Sequence, residues 1–276
     1  MQELAGKTAF VTGGASGIGF ALGRSFAEAG MRVMLADIET DALTAAFESL
    51  RTAGLNVRGI TCDVTDPDSV ERAADATRDA FGNVHVVCNN AGVGGGSGID
   101  GISLATWRWV LDVNLMGVVH GIRAFLPHIR AHGEGGHIVN TASMAGIVSG
   151  LGLSPYAASK FAVVSVSEGL AAELAPLGIG VTVLCPGFVR SRIAESARNR
   201  PPRYGPAQPP EPASAAAALA RRLADASRDG LEPAVVAART LTAIQRNEGY
   251  VFTHPDMRAE AQARFSAILA AMDAPD

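Results

Sequence analysis

Short apolar runs recur along this chain at Thr8–Val11, Arg32–Ala36, Val57–Cys62, Val84–Cys88, His137–Thr141 and Val181–Cys185. Between them lie longer segments whose apolar residues fall three and four apart: Ile18–Ala29, Asp41–Ala53, Asp68–Phe81, Thr106–His132 and Tyr156–Leu177. Strands that read as continuous apolar runs are covered on both faces, and parallel neighbours need a crossover helix between them. The chain is 48% hydrophobic and 18% charged, enough apolar material to cover such a sheet on both sides. The expected fold class is therefore α/β, a doubly wound parallel sheet in a single domain over residues 1–276, with ligands beyond the carboxyl ends of the strands.

Past Ser191 the rhythm breaks. Residues 191–230 read as an insertion that lids the substrate, since loops beyond strand ends carry specificity. Within it, 201–218 (PPRYGPAQPPEPASAAAA) mixes proline and alanine in a way that suits neither strand nor core, and is expected to be a mobile surface segment. Glu232–Gln245 then reads as a helix, Gly249–Thr253 as a last strand and Met257–Met272 as a closing amphipathic helix.

Several partners are set aside by composition. Acidic residues outnumber basic ones 27 to 23 and no Lys/Arg cluster stands out, so nucleic acid is not expected. Three cysteines, Cys62, Cys88 and Cys185, each close an apolar run and read as buried thiols, not as a disulfide framework. The six histidines show no ligand spacing, so no metal is assigned. The N-terminus enters a strand pattern at once without a signal core, and no uninterrupted apolar stretch suits a bilayer. A cytoplasmic protein with a small-molecule substrate is the expectation.

The first strand leads into Thr12-Gly13-Gly14-Ala15-Ser16-Gly17-Ile18-Gly19 and directly into a helix. Glycines there let backbone amides approach a pyrophosphate, and the positive end of the helix favours the anion. Asp37 ends the second strand 18 residues after Gly19, where a carboxylate hydrogen-bonds a ribose 2′-hydroxyl and repels a 2′-phosphate. No Arg or Lys follows at Ile38 or lies in the glycine turn, so NAD is favoured over NADP. The bland alternative for Asp37 is a helix cap, but Thr40 and Asp41 look better placed for that. Asp63 after the third strand, and Asn89-Asn90-Ala91-Gly92 after the fourth, suit an adenine edge or the crevice wall.

Tyr156 and Lys160 stand four apart at the start of a helix, on one face. A free phenol titrates near pH ~10, so a tyrosine working as acid or base needs a neighbouring cation, and Lys160 is expected to lower its pKa. Ser143, just after the fifth strand, is placed to hydrogen-bond the same substrate oxygen. Each feature alone is commonplace; their order along this fold gives them weight.

Together, the TGGASGIG turn, Asp37, the NNAG stretch, Asn114, Ser143, Tyr156-Ala-Ala-Ser-Lys160 and Pro186-Gly187 resemble the short-chain dehydrogenase/reductase family over about residues 5–192. The resemblance implies a Rossmann fold, a nicotinamide cofactor and a homodimer or homotetramer built through the helices Thr106–His132 and Tyr156–Leu177. It makes Tyr156 the general acid/base, Ser143 the substrate-orienting donor, Lys160 the ribose anchor and cation, and Asn114 part of a proton relay through water; an asparagine otherwise hurts an apolar helix, and a water-binding bulge there explains it. The cofactor set it implies is Gly13, Ser16, Gly17, Ile18, Gly19, Asp37, Asp63, Val64, Asn90, Ala91, Gly92, Tyr156, Lys160, Pro186, Gly187, Val189 and Ser191. In Pro186-Gly187-Phe188-Val189-Arg190-Ser191, the serine stands where the family usually has threonine, with the hydroxyl retained.

The stretches Ser191–Gly205, Gly230–Pro233 and Tyr250–Pro255 resemble a subgroup, the bacterial dehydrogenases that oxidise the benzylic carbon of lignin-derived β-aryl ether dimers. That resemblance implies a bulky or aryl secondary alcohol, with Leu151, Leu153, Phe188, Ile193 and Tyr204 as pocket walls or core. Arg192, Arg198, Arg200 and Arg203 read as solvated lid residues or an anion grip. Two rival readings stay open: an NADPH-dependent 3-oxoacyl or steroid-like ketone reductase, and a non-catalytic nucleotide sensor on the same fold.

Overall fold

The computed structural model describes residues 1–95, 99, 101–150 and 152–273. Seven strands, β1 (Thr8–Thr12), β2 (Arg32–Asp37), β3 (Val57–Thr61), β4 (Val86–Asn89), β5 (Gly136–Thr141), β6 (Ile179–Cys185) and β7 (Tyr250–Phe252), form one parallel sheet. Their order is β3-β2-β1-β4-β5-β6-β7, so the direction of winding reverses between β1 and β4, and a crevice opens there beyond the strand ends.

The central strands β1, β4 and β5 are buried at every position because alternate residues feed two different cores. Val11, Val33, Leu35, Val86 and Val139 pack with Leu22 and Phe26 of α1 (Gly17–Glu28), Leu43 of α2 (Thr40–Thr52) and, later in the chain, Val236 and Ile244 of a helix at Pro233–Arg246. Phe10, Met34, Val87 and Ile138 face the other way, toward α3 (Pro67–Phe81), α4 (Leu104–Leu111), α5 (Gly117–His132) and α6 (Ser154–Leu174). On that side the Phe10 and Phe125 rings meet at 4.4 Å, a contact in which each buried ring contributes about 2–3 kcal/mol.

The segment expected to be one helix, Thr106–His132, is broken by a π turn at Asp112–Met116 that carries Asn114. Asn114 bonds to the chain at Val93, so the helix widens by one residue to present it, a common device at functional sites. The Leu104–His132 stretch is by length and composition apolar enough to cross a membrane, but half of its most apolar window is packed inside the fold.

After β6 come a short helical passage at Ile193–Asn199, a turn at Pro202–Tyr204, and α7 (Ala215–Arg228), which the sequence did not suggest. Ser214 caps α7, its hydroxyl accepting from Ala217 N–H. The Pro233–Arg246 helix (α8) packs on α1, and α9 (Arg258–Met272) closes the chain. α9 is not the amphipathic helix expected: none of its residues is buried, and Phe265, Ile268, Leu269 and Met272 are exposed.

Candidate active site

The glycine turn is built for close approach. Gly13 and Gly17 have φ of 66° and 53°, in the left-handed region, and a Cβ on Gly19 would lie 2.1 Å from Gly13 O. Ser16 precedes α1 without capping it, and no acidic residue lies in the first turn, so the helix amides are left for an anion. Thr12 ties this turn to β4: its hydroxyl oxygen accepts from Asn90 N–H at 2.9 Å and Ala91 N–H at 3.0 Å, while Asn90 Nδ2 donates to Thr12 O at 2.9 Å. In the sequence Thr12 opens the TGGASGIG turn without a role of its own, because its partners Asn90 and Ala91 lie 78 and 79 residues away.

At the far end of the cleft, Asp37 accepts from Ala15 N–H and Glu39 N–H, both at 3.0 Å. Neither Thr40 nor Asp41 caps α2, which begins at Thr40 without a side-chain cap. Asp63 accepts from Thr65 N–H and hydroxyl and from Arg203 at 3.2 Å. Burial pushes the Asp63 pKa up, but these hydrogen bonds and the guanidinium outweigh it and hold the carboxyl below its usual range.

At the other end Ser143, Tyr156 and Lys160 meet on one wall. Ser143 Oγ accepts from Ala145 N–H and donates to Pro186 O at 3.3 Å, fixing it beside the Pro186–Gly187 turn. Lys160, only 3% exposed, donates from Nζ to Thr141 O at 2.7 Å and sits 5.6 Å from the Tyr156 ring centre. Burial brings the Lys160 pKa down to about 8. The expectation that Lys160 lowers the Tyr156 pKa is not met: burial pushes the phenol up, the neighbouring Ser143 hydroxyl opposes this only in part, and the ammonium faces the ring and the Thr141 carbonyl.

Asn114 lies behind this wall, fully buried. Its Oδ1 accepts from Val93 N–H at 2.8 Å, and Nδ2 donates to Val93 O and to Ser159 Oγ, whose hydroxyl donates to Tyr156 O. Gly92 fits between, since a Cβ there would lie 3.4 Å from Asn114 Oδ1 and 3.6 Å from Lys160 Nζ. Thus Asn114 clamps the strip after β4 to the start of α6.

A cleft of about 660 Å³ joins both ends, the size of a ligand pocket. Gly13, Ser16, Gly17, Ile18, Asp37, Asp63, Val64, Asn90, Ala91, Gly92, Ser143, Tyr156, Lys160, Pro186, Gly187, Val189 and Ser191 all line it. Gly19 and Asn114 do not; the first acts by what it leaves out and the second from behind. Of the expected substrate walls, Leu153, Phe188 and Ile193 line the cleft, Leu151 lies outside the described residues, and Tyr204 turns into the fold, its hydroxyl donating to Asp112 at 2.8 Å. Among the described residues no group of His, Cys, Asp or Glu is arranged to hold a metal.

Arg192, Arg198, Arg200 and Arg203 do not converge on one anion, although Arg192 and Arg198 both approach Glu39. Arg198 donates to both oxygens of Glu39, Arg192 pairs with Glu195 at 3.0 Å, Arg203 with Asp63 and Thr65, and Arg200 lies over the Trp109 ring. Arg198 pulls the Glu39 pKa down most, burial opposes it, and Asn199 and Arg192 add to the lowering.

A family model described as short chain dehydrogenase matches residues 7–202. The chain belongs to the short-chain dehydrogenase family. It is an oxidoreductase of that type. Among similar proteins, the C alpha-dehydrogenase of Sphingobium sp. strain SYK-6 is 33% identical over 270 residues, covering 98% of this chain and 87% of the relative. The 1-deoxy-11-beta-hydroxypentalenate dehydrogenase of Streptomyces exfoliatus is 45% identical over 196 residues, 70% of this chain and 71% of the relative. A Burkholderia phymatum short-chain dehydrogenase/reductase solved in complex with NAD superposes with a TM-score of 0.94 at 40% identity, covering 100% of this chain and 99% of the other. The Rossmann-type sheet expected from the sequence is the one observed.

Proposed function

We propose that this short-chain dehydrogenase uses NAD to interconvert a bulky or aryl secondary alcohol and its ketone. The observation that carries this reading is the convergence of Ser143, Tyr156 and Lys160 on one wall of a cleft whose other end carries Asp37. A dinucleotide fits the residues between: uncapped amides and glycines for the pyrophosphate, Asp37 for the ribose, Asp63 for the adenine edge.

Bound in that cleft, a nicotinamide would supply the hydride acceptor or donor for the carbinol carbon. Tyr156 passes the hydroxyl proton out of or into the substrate, and Ser143 donates to the same oxygen, so charge developing there meets two fixed partners. Lys160, fixed by its bond to Thr141 O, would hold the cofactor ribose. Asn114 is proposed to serve the proton relay by holding the strip after β4 in place.

The substrate end is walled by Val93, Trp109, Met144, Val148, Leu153 and Phe188, with Leu223 of α7 reaching over from residues 191–230, the proposed lid. An apolar enclosure of this kind suits a bulky neutral alcohol, and the similarity to a C alpha-dehydrogenase supports an aryl one. Assembly into two or four copies through α4, α5 and α6 is proposed on the family pattern; Leu104 and Met116 stand exposed on that stretch.

The test is to supply NAD or NADP with a panel of aryl, steroid and aliphatic secondary alcohols and to follow reduced-nicotinamide absorbance. Turnover of aryl alcohols with NAD supports the reading. Activity confined to NADPH and ketones favours a biosynthetic reductase, and silence throughout overturns the proposal.

A further inference from the structure

We propose that Glu39 sets the cofactor choice of this enzyme by occupying two guanidiniums, those of Arg192 and Arg198, that otherwise receive the 2′-phosphate of NADP. The inference deepens the NAD assignment above and rests on it. Locally, the sequence places no cation near Asp37. The fold does: the passage after β6 crosses the mouth of the cleft and brings both arginines against the loop that follows Asp37.

The geometry is specific. Glu39 donates its backbone N–H to Asp37 at 3.0 Å, so its carboxylate is anchored beside the proposed ribose site. Arg198 reaches it with Nη2 at 2.6 Å and Nε at 3.2 Å, a two-pronged contact to both oxygens, and Asn199 Nδ2 adds a third bond at 2.9 Å. Arg192 Nη1 lies 3.8 Å from the same carboxylate. The Glu39 and Arg198 side chains are 21% and 26% exposed, so water screens the pair less than an open surface pair.

The charge count decides the sign. Glu39 and Glu195 pair with Arg192 and Arg198, and Asp37 is tied to Glu39 through its backbone N–H, three negative charges against two positive. A 2′-phosphate carrying about two negative charges enters a cluster already net negative, with its best partner occupied. Without Glu39 the cluster is neutral and holds a free planar fork, the geometry that recognises phosphate. The 2′-hydroxyl of NAD carries no charge, so the same change leaves it almost indifferent.

A tether that only held the lid down would weaken both cofactors together when cut, whereas a specificity residue must split them. The experiment is calorimetric titration of the full-length protein with NAD and NADP, in wild type, Glu39→Gln, Glu39→Ala and Glu39→Ala with Arg192→Ala and Arg198→Ala. Gln removes the charge while keeping an acceptor for Arg198; Ala frees the fork as well. The expected result is NADP binding tightened about tenfold in Glu39→Ala and by less in Glu39→Gln, with NAD within about threefold of wild type, the scale of one charge-assisted phosphate contact. Removing both arginines returns NADP to wild-type affinity or below. Unchanged NADP affinity, parallel loss of both cofactors, or a gain that survives loss of both arginines overturns the proposal. The wild-type preference reports separately on the NAD assignment: if NADP already binds more tightly, that assignment falls, and the change on replacing Glu39 still decides this residue's role.

Discussion

The Tyr204 hydroxyl, from the segment after β6, donates a 2.8 Å hydrogen bond to Asp112, the first residue of the π turn that carries Asn114. The proposed lid and the floor of the active site are thereby joined through one buried phenol. Tyr204→Phe removes that bond while keeping the packing, a loss of about 1 kcal/mol. KM for the alcohol is expected to rise about fivefold with kcat nearly unchanged, because the bond holds the enclosure and not the reacting atoms. Steady-state kinetics check this; a fall in kcat at constant KM contradicts it.

Tyr156→Phe removes the proposed proton carrier and nothing that touches the pyrophosphate. Turnover should drop about 10²–10⁴-fold, the usual worth of a positioned acid or base. NAD affinity, measured by calorimetry, should stay within about threefold. Retained turnover would remove Tyr156 from the mechanism.

At Gly19 an added methyl group meets Gly13 O at 2.1 Å, and relief requires parting α1 from the glycine turn. Gly19→Ala is expected to cost about 1–3 kcal/mol by overpacking and to weaken NAD binding at least about tenfold. Gly249→Ala, where a methyl meets nothing within 4 Å, is the control. Equal thermal melting points and equal NAD affinities for the two variants would refute the close-approach argument.

Acid should unfold the protein partly through His137. Thr182 donates its hydroxyl to Glu248 O and so accepts from His137 Nε2 at 2.7 Å, leaving His137 Nδ1 buried, bare and neutral. Burial brings the His137 pKa down to about 3, against 6.5 when unfolded. Between those values the unfolded chain takes up a proton that the native one refuses, so stability falls as pH drops below 6.5. From pH 7 to pH 5 this group alone removes about 2 kcal/mol. His85, its pKa also lowered by burial, acts in the same direction. Urea unfolding at the two pH values should show a smaller acid loss in His137→Gln than in wild type; identical losses would exonerate His137.

The strands and their crossover helices were legible because each depends on local spacing: Phe10 and Val11 alternate between the two cores, and α1 follows its turn directly. The residues lining the cleft were legible for the same reason, since the fold places every strand end on one side. The π turn was legible only as an odd polar residue, Asn114, inside an apolar helix, which suggests a bulge there; its partner Val93 was not, lying 21 residues away. α7 hid in an alanine run read together with its prolines, although Ser214 marks its start. No Arg or Lys follows at Ile38 or lies in the glycine turn, and the cations that do approach this loop were out of reach of local reading: Glu39 and Arg198 lie 159 residues apart, and no window along the chain contains both.

The segment between β6 and α7 belongs to two neighbourhoods at once, with Ile193 toward the proposed substrate end of the cleft and Arg198 on Glu39 beside the proposed ribose site. Inheritance of the two specificities is therefore coupled. A chimera that grafts another family member's lid onto this chain, made to accept a new alcohol, also rewires what Glu39 meets. Breeding such enzymes for new substrates should yield shifts in coenzyme taste as an unsought by-product, and the loop after β2 is the place to repair them.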